Sequence, residues 1–246
     1  MPHASRSSLE SLPALFHWFV RRTLSHVAPG LDQQLFFLLN ADRGRPWADT
    51  FWAVFSSLDF WLPLLILAGV LIAWRGGFRG RAMLACLLLS IGIMEGGIIN
   101  PLKKIISKQR PYHVLSEARV VKLEETTPRW WAAIRPAVVR KGNPAEAPEV
   151  GKSLPSGHTS NMFCFATVLT AFYRWRGALF FIPATLVALS RVATGSHWPS
   201  DIVLSAVGSV AVTLVLIAIY GWVWRKLAPR LVPTLAARYP QLVARA

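Results

Sequence analysis

Acidic residues are scarce in this chain: 12 Asp and Glu stand against 27 Lys and Arg in 246 residues, a formal charge of +15, and charged residues of both signs reach only 16%. A basic soluble domain that binds nucleic acid would ordinarily be about a quarter charged, so that class is excluded and no nucleic-acid partner is expected. Two cysteines, Cys86 and Cys164, are too few for a disulfide framework, and both sit inside apolar runs. No Asn-x-Ser/Thr glycosylation site occurs. The first residues lack the charged, apolar and small-residue succession of a cleaved signal peptide, and no period-two alternation competes with the apolar runs as a strand pattern. What the chain does have is hydrophobic residues, 53% of the total, gathered into long runs between short basic connectors. The expectation is one integral membrane domain, an all-α helical bundle.

A helix needs roughly 20 apolar residues to cross a hydrocarbon core of about 30 Å. Five stretches qualify. Residues 202–224 carry no charge, and 82–102 are interrupted only by Glu95. Residues 51–74 contain only Asp59, and 158–173 and 177–194 are shorter runs bounded by Arg and Gly. Residues 12–27, with Arg21 and Arg22, and the short apolar piece 31–39 read as amphipathic helices lying in the interface, although a sixth span near 12–39 would also fit. The expected organisation is an N-terminal interfacial segment (1–50), a membrane domain (51–226) with an outer cap at 112–154, and a cytoplasmic tail (227–246).

Orientation follows from Lys and Arg in short loops. Arg75, Arg79 and Arg81, then Arg174 and Arg176, then Arg225, Lys226 and Arg230 mark one side, the cytoplasm. Residues 101–155 and the turn 195–200 then lie outside. The first of these carries eleven Lys and Arg against five Glu, which long loops tolerate because they obey the rule poorly.

The chemically interesting side chains fall at that outer side in three clusters. Lys103 to Arg110-Pro111 closes the second span, Pro155-Ser156-Gly157-His158 opens the third, and Ser190-Arg191 to His197 and Asp201 joins the fourth to the fifth. Lys103, Arg110 and Arg191 supply fixed positive charge, and a guanidinium binds phosphate oxygens bidentately. Ser156 and Gly157 stand where a helix begins, so backbone N–H groups, a hydroxyl and the helix dipole favour an anion there. Together these make a phosphate cradle. Two histidines can divide the remaining work, one attacking phosphorus and the other protonating the departing oxygen. Asp201, one turn beyond His197, can hold one ring nitrogen protonated. Divalent ions that assist phosphoryl transfer want carboxylates, and Asp201 is the only one in the three clusters, so no metal and no cofactor are expected.

These residues resemble the type 2 phosphatidic acid phosphatase superfamily, membrane lipid phosphatases related to acid phosphatases and vanadium haloperoxidases. The signature of that family is Lys, six residues, Arg-Pro; then Pro-Ser-Gly-His; then Ser-Arg, five residues, His, three residues, Asp. Lys103 to Arg110-Pro111, Pro155 to His158, and Ser190-Arg191 to His197 to Asp201 fit each element. The resemblance implies that His197 is the nucleophile forming a phosphohistidine and that Asp201 orients it. It further implies that His158 is the general acid and that Lys103, Arg110, Ser156, Gly157 and Arg191 hold the phosphate.

Other residues read more plainly. Lys104 and Lys108 are expected to anchor at the interface. Glu95 lies eight residues before Lys103, about 12 Å along a helix, and is expected to pack rather than to touch the cradle. Trp47, Trp74, Trp130, Trp131, Trp198 and Trp224 fit interfacial anchoring.

The expected activity is metal-independent hydrolysis of a phosphomonoester or diphosphate of an anionic lipid. Undecaprenyl diphosphate, phosphatidic acid, phosphatidylglycerol phosphate and lipid A 1-phosphate all fit. Transfer to a second lipid would use the same site, and a non-catalytic lipid-phosphate binding or transport module would need only the cations. The chain reads as bacterial, an inner-membrane protein with its active site facing the periplasm or outside.

Overall fold

The computed structural model describes residues 29–42 and 44–243; the interfacial segment expected at 12–27 lies outside them. The helices are α1 (Pro29–Asn40), α2 (Pro46–Ser56), α3 (Leu58–Arg75), α4 (Gly77–Ile93), α5 (Asn100–Ile106), α6 (Gly157–Tyr173), α7 (Trp175–Ala178), α8 (Phe181–Ala193), α9 (Pro199–Leu231) and α10 (Pro233–Arg238). A π-helical turn, Met94–Ile99, joins α4 to α5 without a break.

Four stretches are long and apolar enough to cross a membrane: Leu58–Arg75, Gly77–His113, Trp175–Ala193 and Pro199–Leu231. The fifth expected span is α6, which has only 17 residues. It packs against α4, α8 and α9 at the centre of the bundle, with Cys164, Ala166, Val168 and Phe172 fully buried. A helix enclosed by its neighbours is apolar on all sides because protein surrounds it. α3 is apolar on all sides for the opposite reason: none of its residues is buried, and its leucines face outward where lipid would lie.

The expected span over 51–74 needs correction. Ser57 is extended (φ −98°, ψ 104°) and breaks the run, so the membrane helix starts at Leu58, with Asp59 in its first turn where a carboxylate suits the helix dipole. Phe51 belongs to α2 instead. α9 runs on to Leu231, past the expected start of the tail, and the chain then folds back so that Tyr239 stacks on Phe78 with ring centroids 4.3 Å apart. At this same end Arg81 donates to the carbonyls of Ala73 and Trp74, at 2.8 and 3.2 Å, filling acceptors that a helix C-terminus leaves unpaired.

The segment 112–154 holds the only strands among the described residues, β1 (Arg119–Lys122) and β2 (Val138–Lys141), paired antiparallel with Val121 opposite Val139. Four-residue strands are too short to produce a readable alternation. The segment is tied to the bundle by Asn40, 2% exposed. Its amide nitrogen donates to the carbonyls of Arg119 and Ala193 at 2.9 and 2.8 Å, and its oxygen accepts the Arg119 N–H at 2.8 Å. Gly195, at φ +81°, passes so close to this junction that a Cβ would lie 2.3 Å from the Arg119 carbonyl; only glycine fits.

Candidate active site

The three sequence clusters meet at one end of the bundle. α5 ends there, α6 and α9 begin there, and α8 ends there, all opposite the ends marked by Arg79, Arg174 and Arg225. Lys103, Arg110, Arg191 and His197 all lie close enough to His158 to act on it electrostatically. Lys152, in the loop before Pro155, joins Arg110 and Arg191 around Lys103.

His197 sits in the turn between α8 and α9 and is 3% exposed. Its Nδ1 is 2.6 Å from the backbone carbonyl of Ser153, and a carbonyl only accepts, so Nδ1 carries the proton and Nε2 keeps its lone pair. Asp201 was expected to do this orienting, but its carboxylate is 3.9 Å from Nδ1. Its oxygens are occupied by other donors: Oδ1 accepts from Lys108 Nζ at 2.8 Å, and Oδ2 accepts from Ser153 Oγ at 2.5 Å and from the Trp198 N–H at 3.1 Å. Asp201 therefore holds Ser153, and Ser153 holds His197.

Lys108 is not the free interfacial anchor expected from its position. Its side chain is 16% exposed and binds both Asp201 and, at 3.6 Å, Asp32 of α1. Ser200 completes the cluster, accepting from Lys108 at 2.9 Å and donating its N–H and hydroxyl to Asp32 at 2.8 and 2.6 Å. Trp198 likewise turns inward, donating from Nε1 to the Gln109 carbonyl at 2.9 Å.

The cradle is narrower than expected. The Ser156 N–H is taken by Ser205 Oγ at 2.8 Å, and Thr159 donates to Ser156 Oγ at 3.0 Å, which leaves the Ser156 hydroxyl proton and the Gly157 amide as donors. Arg191 Nη1 is held by the carbonyl and hydroxyl of Ser56, while its Nε is buried without a partner among the described residues. Arg110 Nη1 donates to the Tyr112 hydroxyl at 2.9 Å.

Glu95 also departs from expectation. Asn161 Nδ2 donates to its Oε1 at 2.8 Å, and a methyl group at Gly157 would lie 3.2 Å from that oxygen and 3.6 Å from Lys103 Nζ. Its carboxylate therefore reaches the cradle. Distance along its own helix misled, because the cradle residue it meets is on α6, which runs down past it; Lys103 also reaches back toward it, as helical side chains lean toward the N-terminus.

Burial pushes the His197 imidazole down to about 4, against the pull of Asp201 and with help from Arg191. The ring is neutral at neutral pH, as an attacking nitrogen requires. Between pH 4 and the ordinary 6.5 the unfolded chain binds this proton and the folded chain does not, so stability from this group falls as pH drops below 6.5. The acid limb of kcat/KM reports the free enzyme's base. For His197 it is expected near pH 4 once the substrate phosphate's own ionisation near about pH 6 is accounted for; a limb at 6.5 or higher would contradict the buried setting.

Ser153, Ser56, Lys108, Asp32 and Ser200 escaped sequence reasoning. A backbone carbonyl as the partner of His197 leaves no signal in side-chain identity. Lys108 did fall inside the Lys103-to-Arg110 interval, and that was its one available cue.

Two histidines, three cations and a helix N-terminus thus gather at one end of the apolar helices. The family model described as the PAP2 superfamily matches residues 82–225, and the chain belongs to that superfamily. It is 42% identical over 50 residues to YbjG of Escherichia coli (strain K12), a protein named as an inferred undecaprenyl-diphosphatase; the match covers 20% of this chain and 25% of that one. The chain thus spans about a quarter of that curated relative's length. The fold is also similar to the crystal structure of Aquifex aeolicus LpxE, with a TM-score of 0.55 and 24% identity over 78% of this chain and 97% of the other.

Proposed function

We propose that this protein is a metal-independent membrane lipid phosphatase working through a phosphohistidine, with its site on the outer face of a bacterial inner membrane. The observation that carries the reading is His197: a buried neutral imidazole, its Nδ1 proton committed to the Ser153 carbonyl at 2.6 Å, with Nε2 left to attack. Membership of the PAP2 superfamily supports it. So do the apolar helices and the gathering of basic residues at the opposite ends of those helices.

In this mechanism Arg191, Arg110 and Lys103 bind the phosphoryl oxygens, joined by the Ser156 hydroxyl and the Gly157 amide. His197 Nε2 forms the N–P bond as the P–O bond to the lipid breaks. His158 gives its proton to the departing oxygen, then takes one from a water whose oxygen attacks phosphorus. The N–P bond breaks, inorganic phosphate leaves, and both histidines return to their starting states. Positive side chains neutralise the developing charge in a site partly shielded from water, where such charges act strongly. The lipid tail stays in the bilayer while the head group reaches the cradle, and the 112–154 segment forms an outer cap over that entrance.

The test is phosphate release from prenyl diphosphate, phosphatidic acid, phosphatidylglycerol phosphate and lipid A 1-phosphate by the purified protein in detergent with a chelator present. Release from at least one lipid, unchanged by the chelator, is expected. Loss of activity on chelation would overturn the metal-free reading, and no release from any lipid would overturn the lipid phosphatase reading.

A further inference from the structure

We infer that Glu95 and Asn161 form a hydrogen-bond-acceptor subsite on the membrane side of the phosphate cradle. It selects lipid monophosphates whose leaving group carries a hydroxyl, and it disfavours lipid diphosphates. The inference rests on the lipid phosphatase reading and concerns the same site.

Position comes first. Glu95 is the second residue of the π-helical turn Met94–Ile99, about two turns nearer the cytoplasmic end than Lys103, and Asn161 is one turn into α6 from Gly157. The pair therefore adjoins the cradle on the side from which a bilayer-embedded leaving group arrives. π-helical insertions recur at functional sites, and Glu95 lies within this one.

The chemistry is that of an acceptor. A carboxylate takes hydrogen bonds and does not give them, so the contact at 2.8 Å fixes the Asn161 amide with its nitrogen toward Glu95. The other end of that amide, Oδ1, is buried without a partner among the described residues. A buried amide oxygen left unpaired is costly, and a donor on the substrate satisfies it. Gly157 leaves room beside the pair, because a Cβ there would stand 3.2 Å from Glu95 Oε1, tighter than an ordinary contact.

Charge completes the case. Once the terminal phosphoryl group is in the cradle, the second phosphate of a diphosphate falls beside the Glu95 carboxylate, and like charges brought together at a binding site discriminate strongly. A sugar or glycerol hydroxyl at that place instead donates to Glu95 or to Asn161 Oδ1.

The experiment compares kcat/KM for three substrates in detergent: a prenyl monophosphate, the corresponding prenyl diphosphate and a glycosyl 1-phosphate lipid. Glu95→Gln keeps the shape and removes the charge. It is expected to raise the diphosphate-to-monophosphate ratio by about tenfold. Asn161→Ala removes the acceptor oxygen and is expected to cost the glycosyl phosphate about tenfold more than it costs the prenyl monophosphate, chiefly in KM. If Asn161→Ala fails to fold, Asn161→Leu keeps the size, removes the acceptor oxygen and is expected to give the same selective loss for the glycosyl phosphate. Variants that scale all three substrates by one factor would reduce the pair to a structural role and overturn the inference. If the unaltered protein hydrolyses none of the three, the inference falls, and the lipid phosphatase reading falls with it only where phosphatidic acid and phosphatidylglycerol phosphate are left intact as well; hydrolysis with unshifted ratios sinks the inference alone.

Discussion

Replacing His197 with alanine is expected to abolish turnover, with a loss of about 10⁴-fold or more for a residue that acts as the covalent nucleophile, and to end trapping of radiolabelled phosphate on the protein. The reason is local and sharp. Nε2 is the one imidazole nitrogen whose tautomer the fold commits to attack, since Nδ1 is tied to the Ser153 carbonyl at 2.6 Å. Substantial remaining activity, or a phosphoenzyme that survives the substitution, would remove His197 from the role. His158→Ala has a different expected signature under the same mechanism: poor leaving groups suffer, while a nitrophenolate, which departs without a proton, is spared.

The second large effect falls on a residue outside the signature. Lys108→Met is expected to destabilise the protein by about 3 kcal/mol, the cost of leaving one member of a buried ion pair without its partner. It should be read as a lowered melting midpoint in detergent. Asp201 is fully buried, at 0% exposure, and Lys108 Nζ lies 2.8 Å from it, so removing the ammonium leaves a carboxylate with no counter-charge beside Ser153. Turnover should fall as well, because Ser153 is what positions His197. In the double variant with Asp201→Asn the charge is gone from both sides, and the loss of stability should be less than the sum of the two single losses. An interfacial lysine would behave otherwise: its removal would change stability by about 0.5 kcal/mol or less, with no coupling to Asp201.

The contrast between Lys108 and Lys103 shows how far this site is legible in the linear chain. Arg191, His197, His158 and the start of α6 could be found because their spacing is fixed by a helix end and a short turn. The long apolar runs mark the membrane helices for the same reason, since lipid demands a length and a composition that nothing else demands. Contacts that cross between elements distant in the chain were hidden. Asp32 meets Ser200 across 168 residues, and Ser56 holds Arg191 across 135. Glu95 misled because rise along one helix is a poor guide when the partner sits on another. The break at Ser57 was masked by apolar residues on both sides of it.

The Asn40 side chain bears on how the His197 end of the bundle opens. One amide supplies three hydrogen bonds to two segments, the Arg119 backbone and the Ala193 carbonyl, and it is 2% exposed. Pulling any one of α1, β1 or the end of α8 away strands the others' polar groups in a dry setting. The three elements should therefore open together as one cooperative unit in native-state hydrogen exchange, with matched protection at Arg119 and Val121. Movement of the 112–154 segment here would carry α1 with it and thereby tug Asp32, so that breathing of that segment would be felt by Lys108.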